Sequence, residues 1–215
     1  MPAEWVTFDC YGTLIDWERG ITDALIPLLP APIDRDELAR RYIATEAKVE
    51  GESYRPYRDV LDEAGRRLLA SFGVDAPSPL PASLAKWRPF PEVPTALAEL
   101  RRRGRKIAIL SNVDRDLIAS SIRQLELEPD LVVTAQDAGS YKPAPGHWRV
   151  FRERSGAAVE ATIHVGASQY HDMRPGAALG YRTVFVDRHD EKLTTSPTRV
   201  IHDLMPLPDV IDELE

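Results

Sequence analysis

The chain has 215 residues, 43% of them hydrophobic, which suits one domain, or one domain with an insert, around a sizeable core. Its net charge of −7 comes from scattered Asp and Glu, so nothing resembles a basic footprint for nucleic acid. The single cysteine, Cys10, excludes a disulfide framework and a cysteine-based zinc site, and no segment approaches the ~20 apolar residues of a membrane span. The N-terminal residues lack the basic-then-apolar pattern of a secretory signal, so a cytoplasmic setting is expected.

The first apolar run, 6–8, ends in Asp9 and continues as Cys10-Tyr11-Gly12-Thr13-Leu14. A carboxylate at the carboxyl end of a buried strand lies on the rim where open α/β sheets bind ligands. From 16 to 88 no strand is convincing. Helix-like stretches at 17–29, 35–50, 54–72 and 81–87 are punctuated by prolines, among them Pro27, Pro30, Pro77 and Pro79.

Apolar runs then recur at 107–110, 131–133, 162–165 and 183–186, separated by helical patterns at 95–103, 115–125, 146–155 and 174–179. This alternation predicts βαβ units and a parallel sheet. Gly104 and Gly180 stand just before strands, as helix stops do. The basic run Arg101-Arg102-Arg103-Gly104-Arg105-Lys106 reads as a solvated helix end. The tail after Thr194 is Pro-rich, with a short helix at 207–214. The expected architecture is an α/β fold, a Rossmann-like three-layer parallel-sheet core formed by 1–15 and 89–215, carrying an inserted all-helical cap at 16–88.

Four strand ends should converge on one rim. Asp9 ends the first strand, Ser111-Asn112 the second, Lys142 of Ser140-Tyr141-Lys142-Pro143 follows the third, and Asp172 follows the fourth. Each residue also has a plainer reading. Asp9 suits a turn, Ser111 and Asn112 suit the cap of the helix near Asp114, Lys142 a surface loop, and Asp172 the N-cap of the helix at 174–179. His171 is an attractive base, though a His beside an active-site Asp is commonly a hydrogen-bonded loop residue. Trp17, Tyr42 and Trp148 read as packing residues.

Taken in order, Asp9-Cys10-Tyr11-Gly12-Thr13-Leu14, Ser111-Asn112, Ser140-Tyr141-Lys142-Pro143 and Gly166…Asp172 resemble the four motifs of the haloacid dehalogenase superfamily, across essentially the whole chain. Tyr11 and the Ser-Tyr-Lys-Pro run resemble its type II, L-2-haloacid dehalogenase branch. Phosphatases of the superfamily carry a second Asp two residues after the nucleophile, which protonates an alkoxide leaving group. Halide is already a weak base and needs no such acid, so Tyr11 fits displacement at carbon.

The resemblance implies a metal-independent hydrolase of short 2-haloalkanoic acids working through an ester on Asp9. Thr13 and Ser111 would bond Asp9 or the substrate carboxylate, and Lys142 would orient the nucleophile. Asp172 would position or deprotonate the hydrolytic water. Tyr11, Asn112 and Ser168 would line the substrate and halide side. Arg41, with Arg40 as competitor, would supply the halide cation from the cap.

No cofactor is expected in this reading. Gly166-Ala167 stands where phosphatases show Gly-Asp, leaving Asp9 and Asp172 for a hard cation that takes about six oxygens. The sequence departs from the dehalogenases in three places. The fourth motif is one residue longer and lacks their Asn, Val113 replaces Gly, and Trp148 lies where a Tyr or Phe is usual. The alternative is a Mg²⁺-dependent phosphohydrolase of a small phosphorylated metabolite. The expected partner is a small-molecule substrate, with no nucleic acid or membrane, and a homodimer is expected from the resemblance only.

Overall fold

A computed structural model describes residues 3–215. Along the chain run β1 (Trp5–Phe8), α1 (Trp17–Leu25), α2 (Arg35–Glu52), α3 (Tyr57–Ser71), α4 (Leu80–Ser83), α5 (Val93–Arg102), β2 (Lys106–Ser111) and α6 (Arg115–Gln124). There follow β3 (Leu131–Thr134), α7 (Ala135–Ala138), α8 (Gly146–Ser155), β4 (Thr162–Gly166), α9 (Arg174–Ala178), β5 (Arg182–Val186), β6 (Arg199–Ile201) and α10 (Leu207–Glu213). They form two compact units, one of Met1–Ile15, Pro89–Asn112 and Ile122–Glu215, the other of Asp16–Arg88 and Val113–Ser121.

The first unit is a six-stranded parallel sheet in the order β3-β2-β1-β4-β5-β6, a Rossmann-like α/β core with helices on both sides. Strands buried on both faces read as near-continuous apolar runs, which is why β1, β2, β4 and β5 are visible in the sequence. Phe8 is paired with Ile109 of β2 on one side and Val165 of β4 on the other. Chain order reverses beside β1, so the crevice outside the carboxyl ends of β1 and β4 is a topological switch point, the place where such sheets bind ligands. On one face Trp5, Leu110, Val133, Trp148 and Phe151 make a packed cluster, with Trp5 edge-on to Phe151 at 5.4 Å. Burying each such large side chain stabilises the core by roughly 1.5–3 kcal/mol.

The structure corrects the tail, where Arg199–Ile201 forms β6 alongside β5. Three residues, two of them exposed, leave no apolar run to read. It also corrects the basic run as a merely solvated terminus. Arg103 bonds Asp209 and Asp212, Arg105 bonds Asp212 and Glu215, and Arg101 bonds Asp130. The run therefore fastens α10 and the start of β3 to the end of α5.

The second unit packs α1–α4 with residues 113–121 of the α6 region, a segment that the sequence reading assigns to the core. Its inclusion has a physical cause. The Asp114 carboxylate accepts from the backbone N–H groups of Tyr57 (3.1 Å) and Arg58 (2.9 Å), satisfying the first turn of α3, which opens on Pro56 with no side-chain cap of its own. Asp16 and Asp34 cap α1 and α2 in the ordinary way. A Cβ on Gly20 would lie 2.3 Å from the Trp87 indole, so only glycine lets that ring rest on α1. Among the described residues no helix is long and apolar enough to cross a membrane.

Candidate active site

Asp9 leaves β1 at the switch point, its N–H still bonded to the Val165 carbonyl at 2.9 Å, so the β1–β4 ladder fixes its backbone. The turn that follows needs a positive φ at Gly12 (92°), which glycine adopts without strain. That turn brings Thr13 back toward Asp9. Thr13 Oγ1 donates to Asp9 Oδ2 at 2.9 Å and accepts from the Ala167 N–H at 2.9 Å, tying the β1 and β4 loops together.

Lys142 reaches the same place from beyond β3. Its Nζ donates to Asp9 Oδ1 at 2.8 Å and to Asp172 Oδ1 at 2.6 Å, with the lysine side chain 1% exposed, Asp9 13% and Asp172 0%. Asn112 holds the Lys142 backbone from both sides. Its Oδ1 accepts from the Lys142 N–H at 2.6 Å and its Nδ2 donates to the Lys142 carbonyl at 3.1 Å. Asn112 is thus engaged in aiming the lysine, beyond the halide-side placement expected of it.

Asp172 is not the N-cap of α9. Ser168 caps the turn of 169–173 that precedes α9, accepting from the His171 N–H at 3.0 Å, and this turn presses Asp172 against the end of β4. A Cβ on Gly166 would lie 2.6 Å from the Asp172 side chain, so this glycine is what admits the carboxylate. The Asp172 Oδ2 atom and the Ser111 hydroxyl are buried without a hydrogen-bond partner among the described residues.

The electrostatics follow from one cation held between two carboxylates. Burial raises the Asp9 carboxyl above its ordinary value, assisted by the Asp172 charge and opposed by Lys142 and Thr13. Burial also opposes ionisation of Asp172, but Lys142 and the His164 ring outweigh it and hold that carboxyl well below the usual range. For Lys142 burial favours the neutral amine, and the two carboxylates outweigh it, keeping the ammonium above its ordinary value. The trio is a −1 cluster in which Lys142 and Asp172 are buried and Asp9 is partly exposed, with Asp172 as the fixed anion and Asp9 as the group that titrates more readily.

Two histidines join the site without having been singled out in the sequence. His164 of β4 has its Nδ1 2.9 Å from the Thr7 hydroxyl and turns Nε2 toward Asp172 at 3.4 Å. His147 of α8 donates Nε2–H to the Ser111 carbonyl at 3.0 Å; burial, assisted by the Lys142 charge, holds its pKa down at about 4. An apolar-strand pattern hides the first, and the second carries no motif signal. His171 sits with its Nδ1 3.2 Å from Ser168 Oγ, and burial lowers its pKa. Tyr11 bridges to Ile15 within the turn.

Arg41 lies on α2 in the helical unit, bonded to Glu37 at 2.7 Å with its guanidinium 5.3 Å over the Phe72 ring. Arg40 pairs with the same Glu37. Of the four carboxylate oxygens of Asp9 and Asp172, Asp172 Oδ2 is the one without a hydrogen-bond partner among the described residues. Both Oδ1 atoms are committed to Lys142 and Asp9 Oδ2 to Thr13, and Ala167 offers no third carboxylate where about six oxygens are wanted.

The model of the haloacid dehalogenase-like hydrolases matches residues 3–180, and the chain belongs to that family of hydrolases. It is 25% identical to (S)-2-haloacid dehalogenase of Pseudomonas sp. (strain YL) over 191 residues, covering 85% of this chain and 82% of that one. It is 31% identical to phosphoserine phosphatase of Thermus thermophilus over 160 residues, 70% of this chain and 61% of the phosphatase. It spans about half the length of haloacetate dehalogenase H-2 of Moraxella sp. (strain B), 47%, at 31% identity over 106 residues, which are 48% of this chain. The L-2-haloacid dehalogenase structure from Xanthobacter autotrophicus superposes with a TM-score of 0.88 at 19% identity, each chain covered completely, which shows the shared fold.

Proposed function

We propose that this hydrolase is a metal-independent 2-haloacid dehalogenase, displacing halide from short 2-haloalkanoic acids through an aspartyl ester on Asp9. The observation that carries the reading is a partly buried carboxylate held by an ammonium and a hydroxyl, with Tyr11 where a general acid would stand. Such a group is oriented for in-line attack on carbon and lacks the proton donor that an alkoxide leaving group requires.

In the first step an Asp9 oxygen forms a bond to the substrate Cα while the carbon–halogen bond breaks, and halide leaves with the electron pair. Asp9 thereby loses its charge and Lys142 is left with Asp172 alone, which keeps the ammonium protonated. Water then adds to the Asp9 carbonyl of the ester and the acyl–oxygen bond breaks. The 2-hydroxy acid departs with inversion at carbon, one proton is released, and the carboxylate returns. Asp172 is held too acidic to be a strong base, so its unpartnered Oδ2 suits orientation of the hydrolytic water. Asn112 sets Lys142, Thr13 sets Asp9, and Ser111 and Ser168 supply hydroxyls at the same rim. Arg41 is the cation proposed for the leaving halide, on the resemblance alone, and the helical unit is proposed to serve as a cap.

The phosphatase reading is favoured by sequence identity to phosphatases, 31% to phosphoserine phosphatase over 70% of the chain and 30% to phosphatase MT3486 of Mycobacterium tuberculosis over 99% of it. Parallel assays separate the two. Halide release from L-2-chloropropionate that survives EDTA and disappears in Asp9→Asn supports the dehalogenase. Mg²⁺-dependent release of phosphate from p-nitrophenyl phosphate, without halide release, overturns it.

A further inference from the structure

We propose that Arg188, just beyond β5, is a positioning residue for the nucleophile, acting through the Gly12–Thr13 turn; this rests on the reading of Asp9 as nucleophile. Its Nη2 donates to the Thr13 carbonyl at 2.8 Å and its Nε to the Gly12 carbonyl at 3.2 Å. The same Nη2 meets Glu92 Oε1 at 2.8 Å, and the guanidinium carbon lies 3.5 Å over the Phe90 ring. The arginine side chain is 10% exposed and the glutamate 13%, so the fork is built into the core unit.

The turn it grips is the one that delivers Thr13 to Asp9. Within the turn the Gly12 N–H is bonded to the Ile15 carbonyl, and the Leu14 and Ile15 N–H groups to the Cys10 carbonyl. The Gly12 and Thr13 carbonyls point away from that network, and Arg188 meets both. Thr13 is therefore anchored twice, by its hydroxyl to Ala167 and by its carbonyl to Arg188, and these anchors fix the 2.9 Å bond to Asp9. Glu92 balances the guanidinium charge, so Arg188 acts on Asp9 through geometry. A planar five-donor fork can serve two carbonyls and a carboxylate together, whereas an ammonium is a point charge on a flexible stem.

The test is an NMR titration of the ¹³C-labelled Asp9 carboxyl, assigned with Asp9→Asn, in the wild type and in Arg188→Lys. Loosening Thr13 weakens its hydrogen bond to the Asp9 carboxylate. The Asp9 titration is expected to move upward by about 0.5–1 pH unit, and kcat to fall several-fold with KM little changed. Arg188→Gln gives the same reading if the lysine variant does not fold. Arg105→Met is the control, because Arg105 clamps the Ala3 carbonyl and two carboxylates of the C-terminal segment. It should lower the Tm without moving the Asp9 titration. An Arg188 variant that behaves like Arg105→Met, less stable with Asp9 titrating as in the wild type, overturns the proposal. The titration needs no substrate, so it decides the role of Arg188 even where absent halide release has refuted the dehalogenase reading.

Discussion

Replacing Lys142 by Met removes the cation held between two carboxylates, and the structure sets the size of the effect. The ammonium lies 2.8 Å from Asp9 and 2.6 Å from Asp172, with side-chain exposures of 1%, 13% and 0% for the three residues. At an effective dielectric of about 20 each contact carries a gross attraction of ~6 kcal/mol, most of it offset by the cost of taking the charges out of water. Removing one partner from such a cluster leaves uncompensated buried charge, at a cost of about 3–5 kcal/mol. For a chain of this size that lowers the Tm by roughly 10 °C.

The pH dependence gives the prediction its sign. In the wild type Asp172 has a depressed pKa, so its contribution is complete above the ordinary carboxylate value of ~4 and fades only as pH falls through the folded value. Lys142 has a raised pKa, so its contribution is complete below ~10 and fades only above that. Without the ammonium, burial and mutual repulsion push both carboxyls upward, and a proton taken up near pH 5 relieves the variant. Thermal unfolding of Lys142→Met followed from pH 8 to pH 5 should therefore show its largest deficit at pH 8, narrowing as pH falls. A variant as stable as the wild type at pH 8, or a deficit that widens on acidification, would refute the reasoning.

Gly166→Ala sets a Cβ 2.6 Å from the Asp172 side chain and should cost about 1–3 kcal/mol together with most of the activity, whereas Gly51→Ala, which meets nothing, should raise helix stability slightly; equal activity in Gly166→Ala and the wild type would contradict the assigned packing. Asp114→Ala removes the acceptor for the first turn of α3 and should destabilise by about 1–2 kcal/mol, read as a Tm lower by several degrees. The raised Asp9 pKa means that kcat/KM falls on the acid side with an apparent pKa above the ordinary ~4, and a limb at or below that value would count against Asp9 as the titrating nucleophile.

Much of this was legible in the sequence because chemistry and pattern coincide at the strand ends. The β1, β2, β4 and β5 runs are buried on both faces and so read as unbroken apolar stretches. Asp9, Lys142 and Asp172 each follow a strand and were expected on one rim, Thr13 was expected beside Asp9 from the family resemblance, and the structure brings the four within hydrogen-bonding reach.

What was hidden depends on partners distant in sequence. β6 is a strand only because β5 offers it an edge, and its own composition carries no such signal. The assignment of 113–121 to the helical unit turns on Asp114 finding Tyr57 and Arg58, more than fifty residues away. Ser168, not Asp172, caps the turn ahead of α9, because a π-type turn of 169–173 intervenes that no helical period announces. Asn112 looked like a ligand for halide or a helix cap, and its engagement with the Lys142 backbone depends on a loop thirty residues on. Arg188 belongs to no motif, and its importance lies in two carbonyls whose orientation only the folded turn defines.

The most direct measurement of the proposed chemistry is the fate of oxygen during repeated turnover of L-2-chloropropionate in H₂¹⁸O, read by mass spectrometry of the peptide that contains Asp9. Ester hydrolysis at the Asp9 carbonyl places ¹⁸O in the Asp9 carboxylate, and the product hydroxyl then carries the oxygen that Asp9 gave up. The account predicts an Asp9 peptide heavier by an ¹⁸O-for-¹⁶O exchange. Product labelled from the first turnover, with an Asp9 peptide of unchanged mass, would mean that water attacks the substrate directly and would contradict the ester on Asp9.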